Sequence, residues 1–212
     1  MDLELVKKFK DIFTGLERAH GVFYKKNEPQ EGIKVEARMT TVHEAPTLEK
    51  FEHHLKGEYP AMGIVPINDE DKCKFGVIDI DVYPLDHKAL LKIVKQKKFP
   101  LIMCLSKSGG AHLYLFSKVY VSAKDMQTKL SEMATALGYP KAEVFPKQIE
   151  LYQREGEEKR DTGSWINLPY HGRSRYGLDQ EGNAMSLEEF LSHYDNFVVG
   201  ALKSIKTDFK NE

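Results

Sequence analysis

The chain has 212 residues, 41% of them apolar, enough for one substantial core or for two small modules sharing an interface. Its 31 Lys and Arg residues against 32 Asp and Glu leave a formal net charge of −1, so any site for a polyanion must be built locally and not by the field of the whole molecule. No stretch reaches the roughly eighteen consecutive apolar residues of a membrane span, Met1 to Lys10 is a charged amphipathic pattern unlike a signal peptide, and Cys73 and Cys104 lack the spacing of a zinc site or a disulfide framework. The expectation is a cytoplasmic protein, in a prokaryotic cell or in a virus or mobile element acting there, with two buried thiols and no membrane partner.

In chain order, Leu5, Val6, Phe9, Ile12, Phe13 and Leu16 recur at intervals of three and four, which predicts a helix entered from Asp2 as N-cap and ending near Gly15. Thr47 and Gly57 bracket a second helix over Leu48–Lys56, and Phe23–Met39 reads as loop and short strands. Residues 1–70 are taken as a supporting module.

A more regular pattern begins at Phe75. Phe75–Tyr83 is a strand rich in Val and Ile, Asp86–Lys98 a helix with Leu90, Leu91 and Val94 inward, and Leu101–Leu105 a strand. The lysines of that helix and its end (Lys92, Lys95, Lys97, Lys98) read as a solvated face. After a Gly-Gly turn comes a strand over His112–Phe116. A helix then starts from Ser122, with Asp125 three residues on, and carries Met126, Leu130, Met133 and Leu137 inward until Gly138 stops it. Ala142–Phe145 closes the series. The order β-α-β-β-α-β defines an α+β class with a ferredoxin- or RRM-like sheet. Right-handed crossovers then fix the strand order as 4-1-3-2, with the first strand antiparallel to both neighbours.

Three segments bring chemistry to that sheet. Asp79 and Asp81 alternate along the first strand, so both carboxylates leave from one face, roughly 6.5–7 Å apart at their alpha carbons. Such a pair is either a solvated edge or a site for divalent cations. Ser106-Lys107-Ser108-Gly109-Gly110-Ala111-His112 offers glycines for close backbone approach and donors (Lys107, Ser108, His112) suited to phosphates; its alternative is a tight hairpin with a packed histidine. Glu143 to Gln148 begins the fourth strand. Glu143 is placed beside the aspartates, Lys147 and Gln148 within reach of a nucleotide, and Glu150 is the competing acid.

Taken together, GVIDIDVY, LSKSGGAHLYLF, EVFPKQ and GSWINLPYHG resemble the archaeo-eukaryotic primase superfamily, in particular the primase-polymerases of viruses, plasmids and mobile or conflict-system elements, over roughly Gly63 to Ser192. The resemblance implies catalytic metal ligands at Asp79, Asp81 and Glu143, with two Mg2+ or Mn2+ ions. It implies a phosphate-binding histidine at His112 and a sugar or base contact at Asn167, and Trp165 is read as core. Gly110 stands where the family often has serine, and the cysteines of the zinc cluster seen in several relatives are absent.

The activity implied is DNA primase-polymerase chemistry: template-directed nucleotidyl transfer from an NTP or dNTP to a 3′-hydroxyl by a two-metal mechanism. Single-stranded template and primer would be its partners, with a helicase or a C-terminal helical priming domain as further ones. Residues 71–185 would form the catalytic core and residues 186–212 a helix and tail. Lys147, Arg154, Lys159, Arg160, Arg173 and Arg175 are the basic residues open to template contact, interleaved with Glu155, Glu157 and Glu158. Extension without de novo priming, and a non-catalytic RNA- or nucleotide-binding module, are the alternatives.

Overall fold

The structure, a computed structural model, describes residues 1–25, 37–158 and 160–207. Helix α1 (Leu3–Ile12) begins where Asp2 accepts the Glu4 N–H and buries Val6, Phe9 and Ile12. It ends short of the expected Gly15. Gly15 runs so close to a neighbouring strand end that a Cβ there would lie 2.0 Å from the Val65 carbonyl oxygen, and Leu16 donates its N–H to that same oxygen. Another helical turn would break that contact. Helix α2 (Leu48–Lys56) has the expected bounds, with Thr47 as N-cap and Gly57 at φ +81° as C-cap.

Strands β1 (His20–Lys25) and β2 (Ala37–Val42) pair antiparallel; the middle of the expected loop, residues 26–36, lies outside the described residues. β3 (Ala61–Ile64) joins β1, and β8 (Ile166–Asn167), from far along the chain, completes a four-stranded antiparallel sheet in the order β2-β1-β3-β8.

The second sheet follows the crossover rule. Its elements are β4 (Lys72–Ile80), α3 (His87–Gln96), β5 (Leu101–Leu105), β6 (Ala111–Ser122), α4 (Ala123–Ala136) and β7 (Glu143–Phe145). The order β7-β4-β6-β5 is the expected 4-1-3-2, with β4 antiparallel to both neighbours, and β9 (Gly177–Leu178) adds a fifth strand beside β5. Several bounds differ from expectation, and β4 begins at Lys72, ahead of Phe75. β4 ends at Ile80, so Asp81 lies just past the strand, and β6 continues beyond Phe116 to Ser122.

Alternation along these strands separates two cores. Ile78, Ile80, Leu113 and Leu115 pack under α3 and α4 with Leu90, Val94, Met126 and Leu130. The opposite face, with Phe75, Val77, Tyr114, Phe116 and Phe145, meets α1, the first sheet and α5 (Leu187–Phe197), which a capping box of Ser186 and Glu189 begins. Phe13 is the hub of this layer, its ring centroid 5.3 Å from Phe75, 5.4 Å from Tyr114 and 5.5 Å from Phe116. Each such edge contact adds about 0.5–1.5 kcal/mol beyond its buried area.

His54 ties the layers, accepting the Met62 N–H at Nδ1 and donating from Nε2 to the Pro169 carbonyl. Cys73 and Cys104 are buried thiols, as expected. No helix among the described residues is long and apolar enough to cross a membrane.

The inter-sheet stripe has a polar end. Phe75 and Val77 are followed on their face by Asp79; Phe116 and Tyr114 are preceded by His112; Phe145 is preceded by Glu143. The apolar core between the two sheets therefore gives way, at one end, to a cleft lined by acids and a histidine.

Candidate active site

Asp79 stands opposite His112 on β6 and opposite Glu143 on β7, so the three side chains leave one face of three adjacent strands. His112 Nε2 is 3.3 Å from Asp79 Oδ1, and their side chains are 9% and 18% exposed. That approach is within ion-pair range but lacks hydrogen-bond geometry, and Oδ1 is buried with no hydrogen-bond partner. The other ring nitrogen, His112 Nδ1, lies 3.4 Å from the Tyr114 hydroxyl, which donates to the Asn167 carbonyl.

Asp81 and Glu143 have partners of their own. The Tyr83 hydroxyl donates to Asp81, and that bond is the largest cause of the raised Tyr83 pKa. Lys147 Nζ is 2.7 Å from Glu143. Asp79, Asp81 and Glu143 thus do not form the ready-made three-carboxylate cluster expected from sequence; among the described residues no three His, Cys, Asp or Glu side chains are grouped to hold a metal ion. Asp79 and Asp81 nevertheless fit a hard divalent cation, because both are oxygen donors and Oδ1 of Asp79 is an unused buried acceptor. Glu150 lies past β7, outside the register that brings Glu143 to Asp79.

The segment from Ser106 to Gly110 is a tight turn, with the Ser106 N–H donated to the Gly110 carbonyl and Gly109 at φ +93°. A Cβ on Gly110 would sit 2.3 Å from the Ile80 carbonyl oxygen, so only glycine lets the turn lie across the end of β4. The turn carries Lys107 over Phe23 of β1, Nζ 4.2 Å from the ring centroid; Ser108 stays exposed. Arg175 lies over the same ring, Cζ 5.7 Å from the centroid, its guanidinium donating to the Asn167 side chain and the Leu168 carbonyl.

Arg175 is buried, and burial lowers its pKa; Lys107 is lowered by burial and then by the charge of Arg175. Among the described residues no carboxylate forms an ion pair with either. Lys107 itself is exposed, so the cost of unpaired charge falls chiefly on the buried Arg175, and an anion reaching both would relieve it. In the sequence Arg175 is one of the downstream basic residues and nothing more. Its burial and its left-handed backbone (φ +56°) left no signal in the sequence.

The remaining expectations divide. Asn167 pairs across from Gly63 and lines a cleft of about 640 Å³ together with Asp79, Thr41 and Trp165. Trp165, expected in the core, packs against the cluster of Leu16 and Val65 but is only partly buried and also lines that cleft. A second cavity of about 350 Å³, lined by Asp79, Asp81, Lys141 and Glu143, lies against the same carboxylates, so Asp79 borders both spaces.

Gln148 is engaged elsewhere: its amide donates to the Ser164 hydroxyl and accepts the Ser164 N–H, clamping that loop. The basic residues named for the template are dispersed. Arg160 is bound to both Asp71 oxygens and to the Leu151 and Asp69 carbonyls, Arg154 is 3.7 Å from Asp161, Arg173 is exposed, and Lys159 lies outside the described residues.

Comparison with curated proteins finds no match. Residues 6–211 match the family described as the TOTE conflict system, Archaeo-Eukaryotic Primase domain. That match spans almost the whole chain and includes the β4–β6–β7 register around Asp79, so the chain belongs to this family of archaeo-eukaryotic primase domains, whose general reaction class is primase-type nucleotidyl transfer.

Proposed function

We propose that the chain catalyses template-directed transfer of a nucleotidyl group from an NTP or dNTP to the 3′-hydroxyl of a primer, with Asp79 at the reacting centre. The observation that carries this is the register placing His112 and Glu143 on either side of Asp79, with Lys107 and Arg175 over the Phe23 ring and Arg175 bound to Asn167, which lines the cleft of Asp79. In the reaction the 3′-hydroxyl gives up its proton to solvent water as its oxygen forms a bond to the α-phosphorus, the α–β phosphoanhydride bond breaks, and pyrophosphate leaves.

Lys107 and Arg175 hold the triphosphate, supplying charge that stays in place as the leaving group develops, and His112 orients it by a hydrogen bond. Asn167 contacts the sugar. Asp79 and Asp81, with Glu143 as the third acid, would hold two magnesium or manganese ions, which when bound offset the carboxylates and stabilise the attacking and leaving oxygens. Tyr83 and Lys147 keep Asp81 and Glu143 partnered until then. The two cavities meeting at Asp79 suit nucleotide on one side and primer end on the other.

Incubating the chain with labelled nucleotides, magnesium or manganese, and either a primed or an unprimed single-stranded template tests this. Products on both templates support primase-polymerase activity, and products on the primed template alone support an extension polymerase. Retention of template with no product on either template contradicts the catalytic reading and leaves a binding module.

A further inference from the structure

Gly21 of β1 and Gly63 of β3 are cross-strand partners, and together they form a bare patch of backbone. The indole of Trp165 rests on it. A Cβ at Gly21 would fall 1.9 Å from a ring carbon of Trp165, and one at Gly63 would fall 2.2 Å away, so any other residue at either position would displace the ring. The indole is thus supported from beneath by two strands, packs partly against the cluster of Leu16 and Val65, and still borders the cleft that contains Asp79. A large aromatic surface kept half-buried beside a reacting centre is apolar area available to a ligand.

Its neighbours say which ligand. Trp165 precedes β8 directly and Asn167 lies two residues on; both line the cleft, roughly 6.5–7 Å apart at their alpha carbons. Arg175 donates to the Asn167 side chain from beyond it, beside Lys107. From the cations outward the order is positive charge, then a side-chain amide, then an aromatic face, which is the order of triphosphate, sugar and base in one nucleotide.

On the strength of the proposed function, we propose that Trp165 is the stacking surface for the base of the incoming nucleoside triphosphate. Every base has a π-face, so such a surface holds all four alike and leaves the choice among them to the template.

Trp165 is the single tryptophan of the chain, so intrinsic fluorescence reads this ring alone. The full chain is titrated with each of the four nucleoside triphosphates, with inorganic tripolyphosphate and with a single-stranded oligonucleotide, corrected for absorbance against free tryptophan amide. Binding of labelled nucleotide is followed in parallel by equilibrium dialysis. The expected result is quenching by all four nucleotides and none by tripolyphosphate, although tripolyphosphate displaces labelled nucleotide.

Trp165→Leu should weaken nucleotide binding on the order of tenfold with tripolyphosphate binding unchanged, which also shows that the variant is folded, and Trp165→Phe should recover most of the loss. Nucleotide bound in dialysis with unaltered fluorescence, and with equal affinity in Trp165→Leu, overturns the stacking role and leaves the proposed function standing. Quenching by the oligonucleotide but not by triphosphates overturns it in favour of a template base. Failure of labelled nucleotide to bind at all removes the proposed function and the stacking role together.

Discussion

Asp79 and His112 face each other across β4 and β6 with 3.3 Å between Oδ1 and Nε2, yet the carboxylate oxygen is buried and accepts no hydrogen bond. A buried acceptor left in this way costs about 1–3 kcal/mol, and more when charged. The cost is carried by the rest of the stripe. Phe75 and Val77 on one strand, Tyr114 and Phe116 on the other, are fully buried and fix the register that brings the two groups together.

The Lys107 and Arg175 pair should behave as an anion site in the absence of primer or template. Inorganic tripolyphosphate is expected to raise the thermal midpoint of the wild-type chain, because a ligand that binds only the folded state stabilises it. Lys107→Ala removes one of two like charges, so its midpoint without anion should equal or exceed that of wild type, while the rise with tripolyphosphate should largely vanish. A rise of unchanged size would show that the anion binds elsewhere.

Gly109 and Gly110 are adjacent but have opposite requirements. A side chain on Gly110 meets the Ile80 carbonyl, at the end of the strand that carries Asp79, whereas Gly109 has open space and needs only positive φ. Gly110→Ala should cost roughly 1–3 kcal/mol of stability, as overpacking does, and depress nucleotidyl transfer with it. Gly109→Asn should cost well under 1 kcal/mol, because asparagine tolerates the left-handed region. Urea denaturation of the two variants checks this, and equal costs would contradict it.

His54 gives a pH dependence with a defined sign. Burial lowers its pKa from 6.5 to about 3 in the folded chain, so between those values the unfolded chain binds the extra proton. The stability gained from keeping His54 neutral is complete above pH 6.5 and is lost as pH falls toward 3, by at most about 1.4 kcal/mol per pH unit. His20 and His171 are also lowered by burial and add in the same sense. Denaturation at pH 7 and pH 5 should show the decline, and His54→Gln should lessen it. An identical pH slope in that variant would exclude His54 as a source.

Much of the second sheet is legible in the sequence because its signals are local. Periodicity gives the elements, and the handedness of the crossovers converts their order into neighbours, so Asp79 between His112 and Glu143 follows from chain order alone. The first sheet is not legible in this way. β8 and β9 are two residues each, too short to show any period, and β8 completes a sheet whose other strands lie about a hundred residues or more earlier.

Arg175 owes its place to a left-handed backbone that favours glycine, and Trp165 to glycines on two other strands; each is settled by distant partners. The partnering of Asp81 by Tyr83 and of Glu143 by Lys147 joins near neighbours in the chain, but it depends on rotamers and not on pattern.

Asp79→Asn tests the centre most directly, with primer extension and thermal denaturation measured on the same preparation. Replacing a partly buried carboxylate, one oxygen of which is unsatisfied, with a neutral amide should leave the thermal midpoint at or above that of wild type, while extension of a primed template falls to background. A folded Asp79→Asn chain that extends the primer at the wild-type rate would contradict the assignment of the reacting centre to Asp79.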